Sequence, residues 1–277
     1  VSEGGVELCM RWLEKHVESL DTCRAVTRVL VQLLKNESAH QKLVEDKKSI
    51  SKSIATVLKV VTHYSAADAA SVAPMASVAT VTTNPLFSST VDVLEKALAV
   101  ISTLLRVSSM ARAQFCTQGG IDAINKVLGS QSSAQLYAVA ITGVLTTLVD
   151  VTEGEEADSP ALISRRIDDM VKAKVYQGAF AAFQHRVADL ALGTTSSLVL
   201  RMLRSSRKNA EAVTDYVFGT DGESGDNHTF PMLLNVLNSC VERDVEPIAV
   251  GLLIFTIAHL AQNKNLKEQV VAKGVLS

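Results

Sequence analysis

The side chains best suited to chemistry in this chain are six histidines, four cysteines and two acidic segments. The histidines stand far apart, and a lone histidine on a helix is more often a surface or core residue than a catalyst. They are His16, His40, His63, His185, His228 and His259. Phosphate-binding glycine loops and the His-Glu-x-x-His and Gly-x-Ser-x-Gly motifs do not occur. The sequence therefore predicts no catalytic residue and no cofactor, and hence a protein that is not an enzyme.

The cysteines predict neither a metal site nor a disulfide framework. They are spread over the chain and form no Cys-x-x-Cys pair. We interpret Cys9, Cys23, Cys116 and Cys240 as small buried hydrophobic residues in a reducing compartment. A cytoplasmic location follows, with a nuclear or cytoskeleton-associated location as the alternative.

Two acidic segments, at about 152–160 and 219–229, contain carboxylates that could bind calcium. A calcium loop between two helices needs oxygen ligands at positions 1, 3 and 5, glycine at position 6 and glutamate at position 12. Counted from Asp221, the fifth residue is Gly225 and the twelfth is Met232, so the register fails. We predict no metal site and interpret both segments as inserted surface turns.

The elements that would position any site are helices that recur at a fixed spacing. Gly119-Gly120 introduces a helix with an apolar stripe, and a second, longer striped helix follows a polar turn and ends near Leu148. From Gly120 to Leu148 is 28 residues, as it is from Gly5 to Leu33. Each helical pair keeps apolar surface that it cannot cover alone, so neighbouring copies must cover it.

The full pattern combines a short helix after a polar bend, a Gly-Gly-Ile or Gly-Gly-Val start to a second helix, and a long third helix. Residues 111–150 form the clearest unit. Looser units end at Leu33, Leu105, Leu203 and Leu260. This pattern resembles the armadillo repeat, which is similar in turn to HEAT repeats. The resemblance implies an all-α, right-handed α-solenoid (superhelix) of about five to six repeats, with the third helices lining a concave groove.

Some stretches depart from the repeat. Asp46-Lys47-Lys48 stands where Gly-Gly is expected, before a predicted second helix over 49–64. An insertion at about 65–90, rich in small residues and broken by Pro74 and Pro85, adds to the spacing between two third helices. We interpret it as a mobile surface loop, with a docking element as the alternative.

Charge and hydropathy bear on partners and on domain organisation. The net charge of −2 creates no general attraction to nucleic acid. We also expect no membrane insertion, because no apolar run is long enough to cross a bilayer. We predict a single repeat domain over 1–277. Since both ends fall inside a repeat, we expect it to be a section of a longer protein. The sequence does not indicate an oligomeric state.

The groove along the third helices is the predicted binding site. Importin-type armadillo proteins hold a basic peptide with a Trp and, four residues later, an Asn on successive third helices. No unit here carries that pair, which disfavours nuclear-localisation peptides. The groove is mixed and partly apolar, which suits a helix or a hydrophobic segment of another protein. The predicted contact residues are Arg24, Arg28, Gln32, Val100, Thr147, Leu198, Met202, Phe255 and His259.

Basic residues offer a second, minor surface. Arg24 and Arg28 share one helix face. Another basic cluster stands at the end of a helix and in the turn after it: Arg201, Arg204, Arg207 and Lys208. Cations interact favourably with a helix C-terminus, so we interpret the second cluster as structural, with recognition of an acidic partner as the alternative.

Three functions are compatible with this pattern. The preferred one is a non-enzymatic scaffold or adaptor that binds a partner protein or peptide segment along the concave face, because stacked helices create long surfaces without supplying chemistry. The second is a regulatory or targeting region of a larger multidomain enzyme. The third is a protein-folding chaperone of the myosin-assisting kind, which resembles armadillo proteins in fold.

Overall fold

The structure is a computed structural model that describes residues 4–36, 46–71, 85–129, 134–150, 157–184, 189–218, 229–243 and 245–262. All regular secondary structure in these ranges is helical, which confirms the predicted all-α class. The thirteen helices of the described ranges are α1 (Gly5–Lys15), α2 (Leu20–Leu33), α3 (Lys47–Ser71), α4 (Pro85–Val107), α5 (Ser109–Thr117), α6 (Gly120–Gly129), α7 (Ala134–Asp150), α8 (Pro160–Lys172), α9 (Val175–Gln184), α10 (Asp189–Ser205), α11 (Arg207–Phe218), α12 (Thr229–Glu242) and α13 (Pro247–Ala261).

Contacts between residues divide the chain into two compact units, residues 1–163 and 164–277. The sequence predicted a single domain, and that remains a prediction. The five long helices predicted to end repeat units are all present as α2, α4, α7, α10 and α13. Each ends within two residues of the leucine chosen from the sequence.

In the first unit, α2, α4 and α7 form what we call the last-helix layer, in which α4 packs against both of the others. A second layer consists of α1, α3 and α6, with α3 in contact with α1 and α6. Each helix of the second layer also packs against the last-helix-layer member that follows it in the chain. The side chains buried in this unit are mainly Leu, Ile and Val, including Leu30, Ile54, Leu98, Ile124 and Leu145. Their burial supplies the main driving force for packing.

In the second unit, α10 packs against α13, and α9 packs against α12. The pairs α9 with α10 and α12 with α13 are also in contact. A Cβ built on Gly193 of α10 would lie 3.5 Å from the Cβ of Ala249 on α13, so the two helices approach closely there. About two turns further along α13, the Thr256 hydroxyl donates to the Leu252 carbonyl at 2.8 Å and lies 3.3 Å from the Ser196 carbonyl of α10.

Two Gly-Gly pairs begin helices in the same way, as the sequence predicted. Gly4 and Gly119 have φ angles of 101° and 74°, and their successors Gly5 and Gly120 are the first residues of α1 and α6. Glycine adopts this left-handed conformation without the steric cost that a Cβ brings. The first glycine of each pair therefore turns the chain, and the second begins the helix.

The helix α3 begins differently, with Asp46 in place of the glycines. The Asp46 carboxylate accepts hydrogen bonds from the backbone N–H groups of Lys48 (3.0 Å) and Ser49 (3.2 Å) and from the Ser49 hydroxyl (2.6 Å). These hydrogen bonds lower the pKa of Asp46, and the bond from the Ser49 hydroxyl has the largest effect. A side-chain cap thus satisfies free N–H groups at the start of this helix.

The predicted loop over 65–90 is wrong at both ends. α3 continues to Ser71, and α4 begins at Pro85, a residue that the first turn of a helix tolerates well. Residues 72–84, with Pro74, lie outside the described residues. So do most of the acidic segments, residues 263–277, and residues 38–45, where the repeat pattern predicts a short first helix before the one over 49–64. None of the described helices combines the length and the apolar character needed to span a bilayer.

Candidate functional site

The last-helix layer has one side that no described helix of the first unit covers. Because α4 packs against α2, α7 and α3, its accessible residues lie on the remaining side. We call this side the last-helix face. On α4 it includes Asp92, Ala99, Thr103 and Arg106. Accessible residues on the neighbouring helices are Arg24, Arg28 and Gln32 of α2, and Gly143, Thr147 and Asp150 of α7.

At one end of this face, two arginines of α2 share a carboxylate of α4. The Arg28 Nε atom donates to Asp92 Oδ2 at 2.8 Å, and the Arg24 Nε atom lies 3.4 Å from the same oxygen. The Arg24 Nη1 atom donates to the Ser89 hydroxyl at 3.3 Å. The Arg24 and Arg28 side chains are 40% and 52% exposed, while Asp92 is 18% exposed. We call these residues the arginine cluster; its two cations and one carboxylate leave a surplus positive charge.

Four of the five contact residues predicted in the first unit are accessible. Arg24, Arg28, Gln32 and Thr147 are exposed or half-exposed. Val100 is only 1% exposed and belongs to the core. Its selection as a groove residue was wrong, because its side chain points into the packing between helices and cannot contact a partner.

Of the four contact residues predicted in the second unit, two are accessible and two are buried. Phe255 is 59% exposed, and the Nδ1 atom of the half-exposed His259 lies 2.9 Å from the Phe255 carbonyl oxygen, one helical turn away. Leu198 and Met202 are buried, with 1% and 0% exposure, so their selection was also wrong. Both fill the core of this unit.

The selections of Val100, Leu198 and Met202 were wrong for the same physical reason. On α4 the half-exposed pair is Ala99 and Thr103, and on α10 it is Ser197 and Arg201. Ala99 stands one residue before the predicted Val100, and Ser197 and Arg201 stand one residue before the predicted Leu198 and Met202. Setting the register by the last leucine of each unit therefore rotated α4 and α10 by about 100°. The corrected position matches α7: the Thr103 hydroxyl donates to the Ala99 carbonyl at 2.9 Å, and that of Thr147 to Gly143 at 2.8 Å.

Arg201 occupies one of these corrected positions on α10. Its burial lowers the pKa of the guanidinium, and the nearby charge of Arg204 lowers it further. Arg207, the next basic residue, forms an ion pair at 2.8 Å with Glu211 on the same helix. The interpretation of this cluster as structural, with recognition of an acidic partner as its alternative, remains a prediction.

Asp92 and Ser89 were not identified from the sequence. Asp92 is 64 residues from Arg28, and no local pattern links them. The available signal was the repeat itself, which predicts that successive third helices are neighbours. A search for opposite charges on successive third helices would have paired Asp92 with Arg24 or Arg28.

A second accessible feature of the first unit is an open cleft between α1 and α2. Its apolar wall includes Leu8 and Trp12, which are 50% and 49% exposed. The lining residues are Leu8, Cys9, Trp12, Asp21, Thr22, Ala25 and Val26. Burial raises the pKa of the Cys9 thiol, so the group is a weaker nucleophile than an ordinary cysteine at neutral pH.

Within the described ranges, no three His, Cys, Asp or Glu side chains are grouped so that they could hold one metal ion. The acidic segment beginning at Asp221, whose register fails for calcium, lies outside those ranges. Comparisons with known proteins give no match to a protein-family model, to a curated protein or to a solved structure.

Proposed function

We propose that this chain is a non-enzymatic scaffold or adaptor of the armadillo-like class, which binds a segment of a partner protein along the last-helix face. The observation that supports this most directly is the packing of α4 between α2 and α7, with α3 behind it. Such a layer has one side left for another molecule, and its length grows with each helix that is added.

The residues on this face suit recognition of a polypeptide. Arg24, Arg28 and Gln32 supply donors at α2, whereas Ala99 of α4 and Gly143 of α7 are small and leave room for a partner's backbone. Packed helices lie about 8–10 Å apart, and an extended chain advances about 3.3 Å per residue. A segment of about six residues would therefore cross from α2 to α7.

Gly143 leaves an open space on the last-helix face. At Gly143 a Cβ would meet no atom within 4 Å, so the space over α7 is open at that point. A glycine in the middle of a helix costs about 1 kcal/mol relative to alanine. No atom of the described residues lies close enough to Gly143 to account for that cost, whereas close approach of a bound segment would.

The test is to block the face with bulky charged side chains. We expect Ala99→Arg and Gly143→Arg to reduce the recovery of proteins that co-purify with the full chain. The matched control is Ala55→Arg on α3, an exposed alanine of the other layer. Alanine and arginine both favour helices, so the control matches Ala99→Arg in its local effect. Equal recovery by all variants and the original chain would rule out binding on this face.

A further inference from the structure

We propose that the arginine cluster of Arg24, Arg28 and Asp92 is the anchor for an anionic side chain, a carboxylate or a phosphoryl group, of the bound segment. This inference rests on the proposed function, because it assigns one contact of the same last-helix face. The shared ligand chemistry is a compact group with two or more anionic oxygens. Such a group can come from an acidic residue or from a phosphorylated one.

The first reason is that the two arginines carry more N–H donors than their described partners accept. One of its oxygens lies 2.8 Å from Arg28 Nε and 3.4 Å from Arg24 Nε. Arg24 Nε is buried and has no hydrogen-bond partner in the described part of the structure. A guanidinium has five N–H donors, and Nε is the only Arg28 atom with a described bond. The cluster therefore has donors to spare.

The second reason is the local balance of charge. Nearby on α4, Lys96 and Glu95 form an ion pair with each other at 2.8 Å, so together they add no net charge. Asp21, one helical turn before Arg24, lines the cleft against α1 with Leu8 and Trp12. Within the described ranges, Asp92 is the carboxylate that pairs with Arg24 and Arg28, so the arginine cluster keeps its surplus positive charge. A bound anion would neutralise this surplus charge.

The third reason is geometry. The planar fork of arginine matches two oxygens of a carboxylate or phosphate, and such charge-assisted bonds are about twice as strong as neutral ones. The Arg28 side chain is 52% exposed, so its terminal nitrogens can be reached from solvent. Asp92 holds the Nε edge of Arg28 and so orients the fork before binding. Ordering the fork in advance reduces the entropy lost when a ligand binds.

The experiment begins by selecting a random peptide library, displayed on phage, against the full chain. We expect selected peptides to share an aspartate or glutamate at one position. A synthetic peptide of this type, labelled for fluorescence anisotropy, should bind the double variant Arg24→Gln/Arg28→Gln about tenfold more weakly. Arg11→Gln on α1 removes one exposed arginine elsewhere and should leave the affinity unchanged. Asp92→Asn removes the competing negative charge but keeps a carbonyl oxygen that can accept from Arg28 Nε, so it should strengthen binding.

Replacing the acidic residue of that peptide separates the two sources of the anion. Serine in its place should lose the affinity, and phosphoserine should restore it. Tighter binding of phosphoserine than of the acidic residue would identify a phosphoryl group as the preferred ligand, and the reverse order would identify a carboxylate. Both orders support the anchor.

Failure of the anchor differs from failure of the proposed function. Suppose that selected peptides lack a shared acidic residue and bind the double variant as they bind the original chain, yet lose affinity for Ala99→Arg. The anchor would then be wrong while binding on the last-helix face would stand. If no peptide is enriched over a control resin, both proposals fail. Thermal unfolding of each variant shows that the exposed substitutions have not unfolded the chain.

Discussion

The Arg112 guanidinium and the Asp158 carboxylate form an ion pair whose side chains are only 0% and 2% exposed. Arg112 belongs to α5, and Asp158 lies just before α8, so the pair links the described residues 157–159 to α5. Arg112 Nη1 also donates to the Leu105 carbonyl at 2.6 Å. That carbonyl is among the last of α4, which a helix leaves without an internal partner. One buried cation therefore serves three segments of the first unit.

Asp158→Ala should strongly destabilise the chain, because it leaves the Arg112 charge buried without its carboxylate. The free energy of unfolding should fall by about 3–5 kcal/mol. The double variant Arg112→Met/Asp158→Leu should lose less, since no unpaired charge remains. Urea unfolding followed by circular dichroism measures both. The control is Asp169→Ala at an exposed carboxylate of α8. Similar losses in the single and double variants would contradict this account.

Gly120→Ala should also destabilise the chain, for a steric reason. A Cβ at this position would lie 2.6 Å from three ring atoms of Phe115, a side chain that is fully buried. The ring cannot move without disturbing the core, so we expect a loss of about 1–3 kcal/mol. Denaturant unfolding measures it. If Gly120→Ala were as stable as the original chain, the tight contact between α5 and α6 would be in doubt.

Gly143→Ala, in contrast, should stabilise the chain. Its Cβ would meet no atom within 4 Å, and alanine favours the middle of a helix over glycine by about 0.5–1 kcal/mol. The unfolding temperature should therefore rise. A fall would show that something in the first unit requires the glycine. Weaker partner binding by the stabilised variant would link the open space over α7 to recognition.

Arg28→Gln should leave stability almost unchanged. Its ion pair with Asp92 is half-exposed, and such pairs contribute less than about 1 kcal/mol. Urea midpoints of the variant and the original chain should nearly coincide. This would separate the role of Arg28 in binding from any role in folding. A loss of the size expected for Asp158→Ala would instead make the arginine cluster a structural element.

Alkaline pH should weaken the contact between Tyr64 and Cys23. The Tyr64 hydroxyl donates to the Val17 carbonyl at 2.9 Å. Burial, and then the neighbouring Cys23, raise the pKa of Tyr64 above its ordinary value of 10.0. Burial also raises the pKa of Cys23 above 9.0, against a smaller lowering by its bond with Tyr64.

The folded chain thus holds these protons more tightly than the unfolded chain. The resulting stability is complete below the unfolded pKa values and is lost as the pH rises through the folded ones. Urea midpoints should therefore fall above about pH 9. Tyr64→Phe should be less stable at neutral pH but lose less as the pH rises. Equal slopes for the variant and the original chain would contradict this linkage.

The sequence predicted the features that depend on local pattern. The two Gly-Gly pairs begin helices with a left-handed first glycine, and Ile141, Val144, Leu145 and Leu148 of the apolar stripe are buried. It did not predict how far α3 and α4 extend into 65–90, because the small residues and prolines there indicated a break. Pro85 is in fact compatible with α4, since it is the first residue of that helix.

The site was harder to predict because it depends on how each helix is rotated about its own axis and on pairs of residues that are far apart in the sequence. An error of one residue in aligning α4 placed the buried Val100 on the surface in place of Ala99. Asp158 was interpreted as part of an acidic surface turn, whereas its partner Arg112 lies 46 residues away. Only the packing of helices brings such residues together, and that packing is not a local property of the sequence.

The contact between Gly193 and Ala249 has a consequence for how this chain can change over evolutionary time. A Cβ on Gly193 of α10 would already be in van der Waals contact with the methyl group of Ala249 on α13, at 3.5 Å. The larger side chain of a valine or leucine at Gly193 would force the two helices apart. We expect random substitution to be tolerated far less there than at exposed neighbours such as Arg204, so that natural variants preserve the narrow gap.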